Sequence, residues 1–376
     1  MDKVNTLYLA KVNNNSNNPE YISKIQKYIF EIDKNHVPVV FDYKHFSLLT
    51  NTSITYLSSV VLRTHDLYRF FYIKKRSGGK RRISVPEAGL LNLQDWLLHN
   101  ILEHIPCSQY CQAYIKGSSI KNNAELHLGK KFIIKLDLEN FFESISERQV
   151  YRVFRKLGYL PNICFLFTRI CTYPLTLNKK YNSKRWAAYN NYRYKDKKYY
   201  NDKNKIGSLL QGAKTSPYLS NLCLSELDEL IGTYCTSKNF TYTRYSDDIF
   251  ISSNFTNHGE CIEIMNYVIH SFQKHGFRIN KKKSRILLPG TKKIITGIIV
   301  NDSYLHVRKE TIHKIENYIY FAKKYGIANE CKHLGFKSIS GFKHHLYGTI
   351  NYITTIENSK GEYLLNLANS LEWPKI

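Results

Sequence analysis

The apolar positions of this chain fall into strand-like runs and helix-like stripes. Leu67 to Ile73 is rich in strand formers, Ser77-Gly78-Gly79-Lys80 supplies a turn, and Arg81 to Pro86 returns. That order predicts a β-hairpin with a basic tip. Over 88–105, Leu90, Leu93, Leu97, Leu98, Ile101 and Leu102 recur at helical spacing. Phe132 to Leu138 is apolar almost throughout and predicts a buried strand. A helix is expected to follow it to about residue 158, where Gly158 supplies a stop. Residues 217–232 and 260–275 are expected to be helical, and 240–245 and 248–253 to be strands flanking Tyr245-Ser246-Asp247-Asp248. Residues 292–300 predict one more strand, and 306–325 with much of the rest to 376 predicts helix.

Two segments lack such patterning. Residues 1–60 form an N-terminal region containing the polar run Asn13-Asn14-Asn15-Ser16-Asn17-Asn18, which has linker composition. The interval 178–206 holds Tyr181, Trp186, Tyr189, Tyr192, Tyr194, Tyr199 and Tyr200 among many Lys and Arg, with no apolar period, and is read as an inserted arm. Tyrosines among cations suit RNA stacking and phosphate contact. A loop without a dedicated partner and a docking surface for another protein are the other readings.

Composition narrows the class. With 43% hydrophobic residues the chain is not a disordered protein, and 376 residues suffice for two or three packed subdomains. Lys and Arg number 55 against 30 Asp and Glu, a net charge of +25 that points to a polyanionic partner, nucleic acid before an anionic membrane. There is no signal-peptide pattern and no apolar run long enough to span a membrane, so a cytoplasmic protein is expected. The eight cysteines show neither Cys-x-x-Cys pairs nor zinc-ligand spacing, and read as buried reduced thiols.

The candidate chemistry lies in carboxylates. Asp247 and Asp248 sit between two strand-like runs, so a turn there would push both out at one sheet edge. Asp137 ends another apolar strand, where its charge must be solvated or paired. Hard oxygen ligands gathered at one edge suit Mg2+, and two such ions would activate a primer hydroxyl and stabilise a leaving pyrophosphate. A merely polar turn would also use two aspartates. Gln211-Gly212-Ala213-Lys214-Thr215-Ser216-Pro217 precedes a helix with a proper N-terminus and would allow close approach to a nucleotide.

Taken in order, these pieces resemble reverse transcriptases: a basic hairpin from Lys74 to Arg82, Asp137-Leu138-Glu139-Asn140-Phe141-Phe142, Gln211-Gly212-x-x-x-Ser216-Pro217, Tyr245-Ser246-Asp247-Asp248, and Asn280-x-x-Lys283-Ser284. The match covers roughly residues 55–300. Bacterial retron enzymes are the subgroup most resembled, through Leu93 to Leu102, through Asn123-Ala124-Glu125-Leu126-His127 and through Ile295-Thr296-Gly297, where Ile stands for the family's Val. The 178–206 insertion departs from a minimal retron enzyme.

The resemblance implies an α+β right-hand polymerase: an N-terminal region (1–60), fingers (61–130), a palm with a ferredoxin-like antiparallel sheet backed by helices (131–300), and a helical, RNA-binding thumb (301–376). It implies that Asp137, Asp247 and Asp248, with the Leu138 carbonyl, hold two Mg2+ ions. Lys74, Arg81 and Arg82 meet the triphosphate, Gln211 and Gly212 the incoming nucleotide, and Phe142 excludes a 2′-hydroxyl. Lys283 protonates pyrophosphate, and Asn123, His127, Lys323 and Lys324 serve RNA binding. Such an enzyme uses dNTPs to copy its own structured noncoding RNA from a guanosine 2′-hydroxyl. It makes a branched RNA–DNA hybrid, msDNA, used in antiphage defence with an effector encoded nearby. The alternatives are a non-retron reverse transcriptase, of group II intron or other defence type, and a catalytically silent RNA-binding scaffold. Phe142 and the Tyr-Ser before the aspartates disfavour an RNA polymerase.

Overall fold

The computed structural model describes residues 18–74, 78–174, 206–254, 257–301 and 303–374. Asn13 to Asn17 and the expected arm at 178–206, save Ile206, lie outside them. Asn18 caps the first helix: its side-chain oxygen accepts from the N–H groups of Glu20 and Tyr21, and Pro19 fills the first helical position. That helix is α1 (Pro19–Asp33), and α2 (Tyr43–Thr50) and α3 (Ile54–Leu62) begin on the caps Asp42 and Ser53. The expected hairpin follows as β1 (Tyr68–Lys74) and β2 (Lys80–Pro86), paired antiparallel. Helix α4 (Ala88–Asn100) ends before a 3-10 turn at Leu102–His104, and α5 (Ile120–Glu125) and β3 (Phe132–Asp137) come next.

The single helix expected after β3 is two: α6 (Phe141–Ser144) and α7 (Glu147–Lys156). Ser146 and Gln149 form a capping box that starts the second, and this Ser-x-x-Gln signature fixes the break. Helix α8 (Pro161–Cys171) has no counterpart among the expected elements; it is buried along most of its length. Helix α9 (Ser216–Ser237) runs past residue 232. Then come β4 (Thr241–Tyr245), β5 (Asp248–Ser253), α10 (His258–Lys274) and the short β6 (Arg285–Leu287). The strand expected over 292–300 is instead a tight hairpin, β7 (Ile294–Ile295) and β8 (Ile298–Ile299), because Thr296 and Gly297 both have positive φ, 47° and 97°. Helices α11 (Lys309–Tyr325), α12 (Ile327–His333), α13 (Ile339–Ile356) and α14 (Asn358–Asn369) complete the chain.

The main sheet has the order β4-β5-β3-β6, with β4–β5 and β3–β6 antiparallel. Helices separate β3 from β4, and α10 separates β5 from β6, so the elements follow the expected split β-α-β plan. The fold is the anticipated α+β arrangement of antiparallel sheet and helices.

The chain divides into two compact units. One comprises Met1–Ile115, Asp137–Ile231 and Tyr267–Asn280; the other comprises Lys116–Leu136, Gly232–Asn266 and Lys281–Ile376. In the first, Glu147 is fully buried and its carboxylate accepts from Arg63 at 2.6 Å and from the Gly207 N–H at 2.8 Å. A buried carboxylate is tolerable because these donors meet it. Tyr173 and Ser208 exchange two backbone hydrogen bonds beside it. In the second unit one apolar cluster joins Ala124, Ile133, Phe250, Leu287, Ile295, Ile298 and Val300 under the sheet. Another is built from helical stripes: Ile312, Ile315 and Ile319 of α11, Phe342, Leu346 and Ile350 of α13, and Leu364 of α14. Among the described residues no helix is long and apolar enough to cross a membrane.

Candidate active site

The carboxylate turn belongs to the second unit. Tyr245 pairs with Asp248, which leaves Ser246 and Asp247 as a two-residue hairpin loop. Ser246 has φ 60°, a conformation costly for a residue with a Cβ. Arg244, fully buried, donates to the Ser246 carbonyl at 3.2 Å and supports that turn from within. Asp247 and Asp248 are both partly exposed. Lys135 of β3 lies 3.0 Å from the Asp248 carboxylate and 5.1 Å from the Phe250 ring centroid. Lys135 and Arg244 were not anticipated. Each is a lone cation inside a strand-forming segment, and that is the signal that marks them.

Asp137 is the last residue of β3, the strand beside β5 in the sheet order. Its carbonyl accepts from the Asn280 N–H at 2.8 Å, and the Glu139 N–H donates to the Arg278 carbonyl at 2.8 Å. These bonds flank the Leu138–Ile279 pair, so the Leu138 carbonyl points away from that neighbour. The Asn280 motif is thereby tied to the Asp137 motif. Lys283 is exposed, just before β6. Phe141 is buried, its ring 6.3 Å from that of Phe277, while Phe142 stays half-buried with the Tyr114 ring at 6.4 Å.

In the hairpin, Lys74 pairs with Lys80, Ile73 with Arg81 and Tyr72 with Arg82. Side chains alternate along a strand, so Lys74 and Arg82 share one face and Arg81 takes the other. The expected trio of triphosphate contacts is therefore split. Arg82 stacks over the Phe70 ring at 5.0 Å. The Gln211 carbonyl accepts from the Ser84 N–H at 2.8 Å. Gly212 has φ 110°, and a Cβ there would lie 2.5 Å from the Ser84 carbonyl oxygen. Close packing on β2 explains this glycine, beside any approach to a nucleotide. Asp95 pairs with Lys214, which holds its carboxyl below the usual range, and the buried Gln94 accepts from the Lys214 N–H at 3.1 Å.

Asn123 and His127, expected to serve RNA binding, are fully buried. The His127 ring nitrogens lie 2.7 Å from the Ser252 hydroxyl and 2.8 Å from that of Thr243. The Asn123 amide finds no hydrogen-bond partner among the described residues. Lys323 and Lys324 are exposed as expected, with Lys324 over the Tyr320 and Tyr325 rings at 5.8 and 5.1 Å. The segments around two of the three retron-like elements also meet. The Thr296 hydroxyl donates to the Ile120 carbonyl at 3.2 Å, and the Gly129 N–H to the Val300 carbonyl at 3.0 Å.

Burial, with a smaller push from Lys130, lowers the His127 pKa to about 3, so the imidazole is neutral. An unfolded histidine titrates near 6.5. Between those values the unfolded chain holds a proton that the folded one lacks, so stability drops by about 1.4 kcal/mol for each unit the pH is lowered. Denaturant titrations from about pH 6.5 to 4.5 should therefore show a steeper loss for wild type than for His127→Gln. Equal slopes would contradict the neutral buried ring.

Among the described residues, no group of three or more His, Cys, Asp or Glu side chains is gathered as a metal centre. Mg2+ is nevertheless commonly held by one or two carboxylates, with water and substrate phosphates supplying the rest. The carboxylate oxygens of the Asp247–Asp248 turn are hard donors of the kind such an ion takes.

The sequence also matches known proteins. A family model described as reverse transcriptase (RNA-dependent DNA polymerase) matches residues 73–338. The Escherichia coli retron Ec86 reverse transcriptase is 29% identical over 91% of this chain and 97% of its own length. The Escherichia coli retron Ec73 enzyme is 27% identical over 84% and 95%. The Myxococcus xanthus retron Mx162 enzyme is 29% identical over 62% of this chain but only 47% of its own length, so this chain spans about half of that relative. A solved telomerase from Candida albicans covers 89% of this chain and 72% of its own at 10% identity, with a TM-score of 0.42, a likeness that carries no argument. The chain belongs to the reverse transcriptase family and is an RNA-directed DNA polymerase of the bacterial retron type.

Proposed function

We propose that this enzyme copies part of a cognate structured noncoding RNA, starting from a guanosine 2′-hydroxyl, to give a branched RNA–DNA hybrid (msDNA). That product would act in the bacterial cytoplasm with an effector encoded nearby, in antiphage defence. The observation that supports the chemistry is the sheet order, in which the strand ending in Asp137 lies beside the strand beginning at Asp248. The division into fingers (61–130), palm (131–300) and thumb (301–376) belongs to the same reading.

The chain's own residues take these roles. Asp137 and Asp247, with the Leu138 carbonyl and Asp248 as the further carboxylate, would hold the two Mg2+ ions. When bound, those ions would activate the priming hydroxyl and offset charge on the leaving pyrophosphate. Lys74 and Arg82, on one face of the hairpin, hold the triphosphate, with Arg81 on the other face directed elsewhere. Gln211 lies against the incoming nucleotide, Phe142 rejects ribose, and Lys283 delivers a proton to pyrophosphate. The priming claim has its own test. Purified enzyme, cognate RNA and dNTPs, with no added primer, should yield DNA covalently joined to RNA and released by a 2′–5′ debranching enzyme. DNA made only from an added 3′-hydroxyl would contradict it.

RNA grip is assigned to the exposed cations of α11, α12 and the connection that follows, Lys309, Lys314, Lys323, Lys324, Lys332 and Lys337 among them. Lys323→Glu with Lys324→Glu should weaken cognate RNA binding and flatten its salt dependence by about one to two charges' worth of counterion release. RNA titrations at several salt concentrations check this. An unchanged slope removes the pair from the interface, and equal loss on an unrelated primer-template points to non-specific binding.

A further inference from the structure

Buried polar side chains need partners, and His127 finds both of its partners on the two strands that carry the carboxylate turn. We infer that His127 is a positioning residue for Asp247 and Asp248: its imidazole clamps β4 to β5 just below the turn and so fixes where the carboxylates stand. The register supports this. Thr241 pairs with Ser252, Thr243 with Phe250 and Tyr245 with Asp248. Every second rung of an antiparallel pair faces the same way. The ring bridging Thr243 and Ser252 therefore lies on the face that also bears Asp248, and Asp248 belongs to the next rung on that face. Ring nitrogen to hydroxyl distances of 2.7 and 2.8 Å are full hydrogen bonds, and none of these three side chains reaches solvent.

The clamp is itself anchored. The His127 backbone N–H donates to the Ala124 carbonyl at 3.0 Å, and Ala124 packs with Phe250, Ile295 and Ile298. A neutral imidazole has one N–H and one lone pair, so one hydroxyl accepts from it and the other donates to it. That pairing joins the two strands through a rigid ring rather than a flexible chain. The turn needs such support, because Ser246 is held at positive φ without being glycine.

The inference rests on the reading of Asp247 and Asp248 as the catalytic carboxylates, and the test separates the two. Three variants are compared with wild type: His127→Ala, His127→Gln, and Thr243→Val with Ser252→Ala. Four quantities are read: kcat, KM for dNTP, affinity for cognate RNA, and amide exchange over residues 241–253. His127→Ala should lower kcat on the order of tenfold to a hundredfold, as small misplacements of reacting groups do. KM and RNA affinity should stay within about twofold, because neither ligand touches the buried ring. Exchange over 241–253 should quicken while that over α11 to α14 does not. Gln, which keeps a donor and an acceptor, should restore most of kcat. The hydroxyl double variant should match His127→Ala, and combining them should add little. If His127→Ala does not fold, the hydroxyl variant, which keeps the ring, decides by the same readouts. Unchanged exchange overturns the clamp whatever the activity. Quicker exchange with full kcat overturns the reading of the turn as catalytic, and the positioning role with it. Loss of RNA affinity in step with kcat overturns the inference in favour of an RNA role.

Discussion

Asp247→Asn with Asp248→Asn should abolish DNA synthesis on an RNA template while leaving the fold and RNA binding in place. Asparagine matches aspartate in size, and both side chains are partly exposed, so little packing is lost. What disappears is negative charge where a cation and transition-state phosphates would be held. Removing such preorganised charge costs about a thousandfold or more in rate. Lys135 loses its ionic partner at Asp248, an effect on stability expected to be small because the pair is part-exposed. Primer extension, a thermal melt and an RNA titration on the same preparation check all three points. Extension near wild-type level would remove these residues from the chemistry.

Phe142→Ala should be the second large effect, on sugar choice. Phe141 turns inward against Phe277, which leaves Phe142 half-buried beside Tyr114. A side chain in that position offers bulk to a sugar. Its removal should raise ribonucleotide use relative to deoxynucleotide by about ten- to a hundredfold, the discrimination that steric fit in an apolar pocket supplies. The measurement is the ratio of kcat/KM for a ribonucleotide and its deoxy counterpart. An unchanged ratio would make Phe142 a packing residue.

Much of this was legible in the chain because strands bounded by turns carry local signals. The β1–β2 hairpin, β3 and the β4–β5 hairpin were readable from apolar runs broken by Gly-Gly or Ser-Asp. Helix α8 was not, since Ile163, Cys164, Leu166, Phe167 and Ile170 bury several sides and leave no stripe; Pro161 was the one clue. Isoleucines on both sides of Thr296-Gly297 hid a turn inside what reads as one strand. The order of strands in the sheet depends on contacts far apart in sequence, and came only through the family resemblance.

The site divides in the same way. Asp137, Asp247 and Asp248 stood out because charge at the end of an apolar strand needs a reason. Strand alternation separates Arg81 from Arg82, because neighbouring residues in a strand face opposite ways. The burial of His127 was not legible, because only the packing of α5 and its following turn against β4 and β5 produces it. Thr243 and Ser252 carry no local signal at all, since hydroxyls in strands are common.

The central claim is that carboxylates on adjacent strands hold the ions for nucleotide transfer. Crystals of the enzyme with an RNA–DNA primer-template, a non-reactive dNTP analogue and Mn2+ in place of Mg2+ test it directly through anomalous scattering. The account predicts two Mn2+ peaks, each bonded to carboxylate oxygens from among Asp137, Asp247 and Asp248 and to the triphosphate. Manganese bound elsewhere, with Asp248 still paired to Lys135 and the triphosphate away from Asp137, would contradict it.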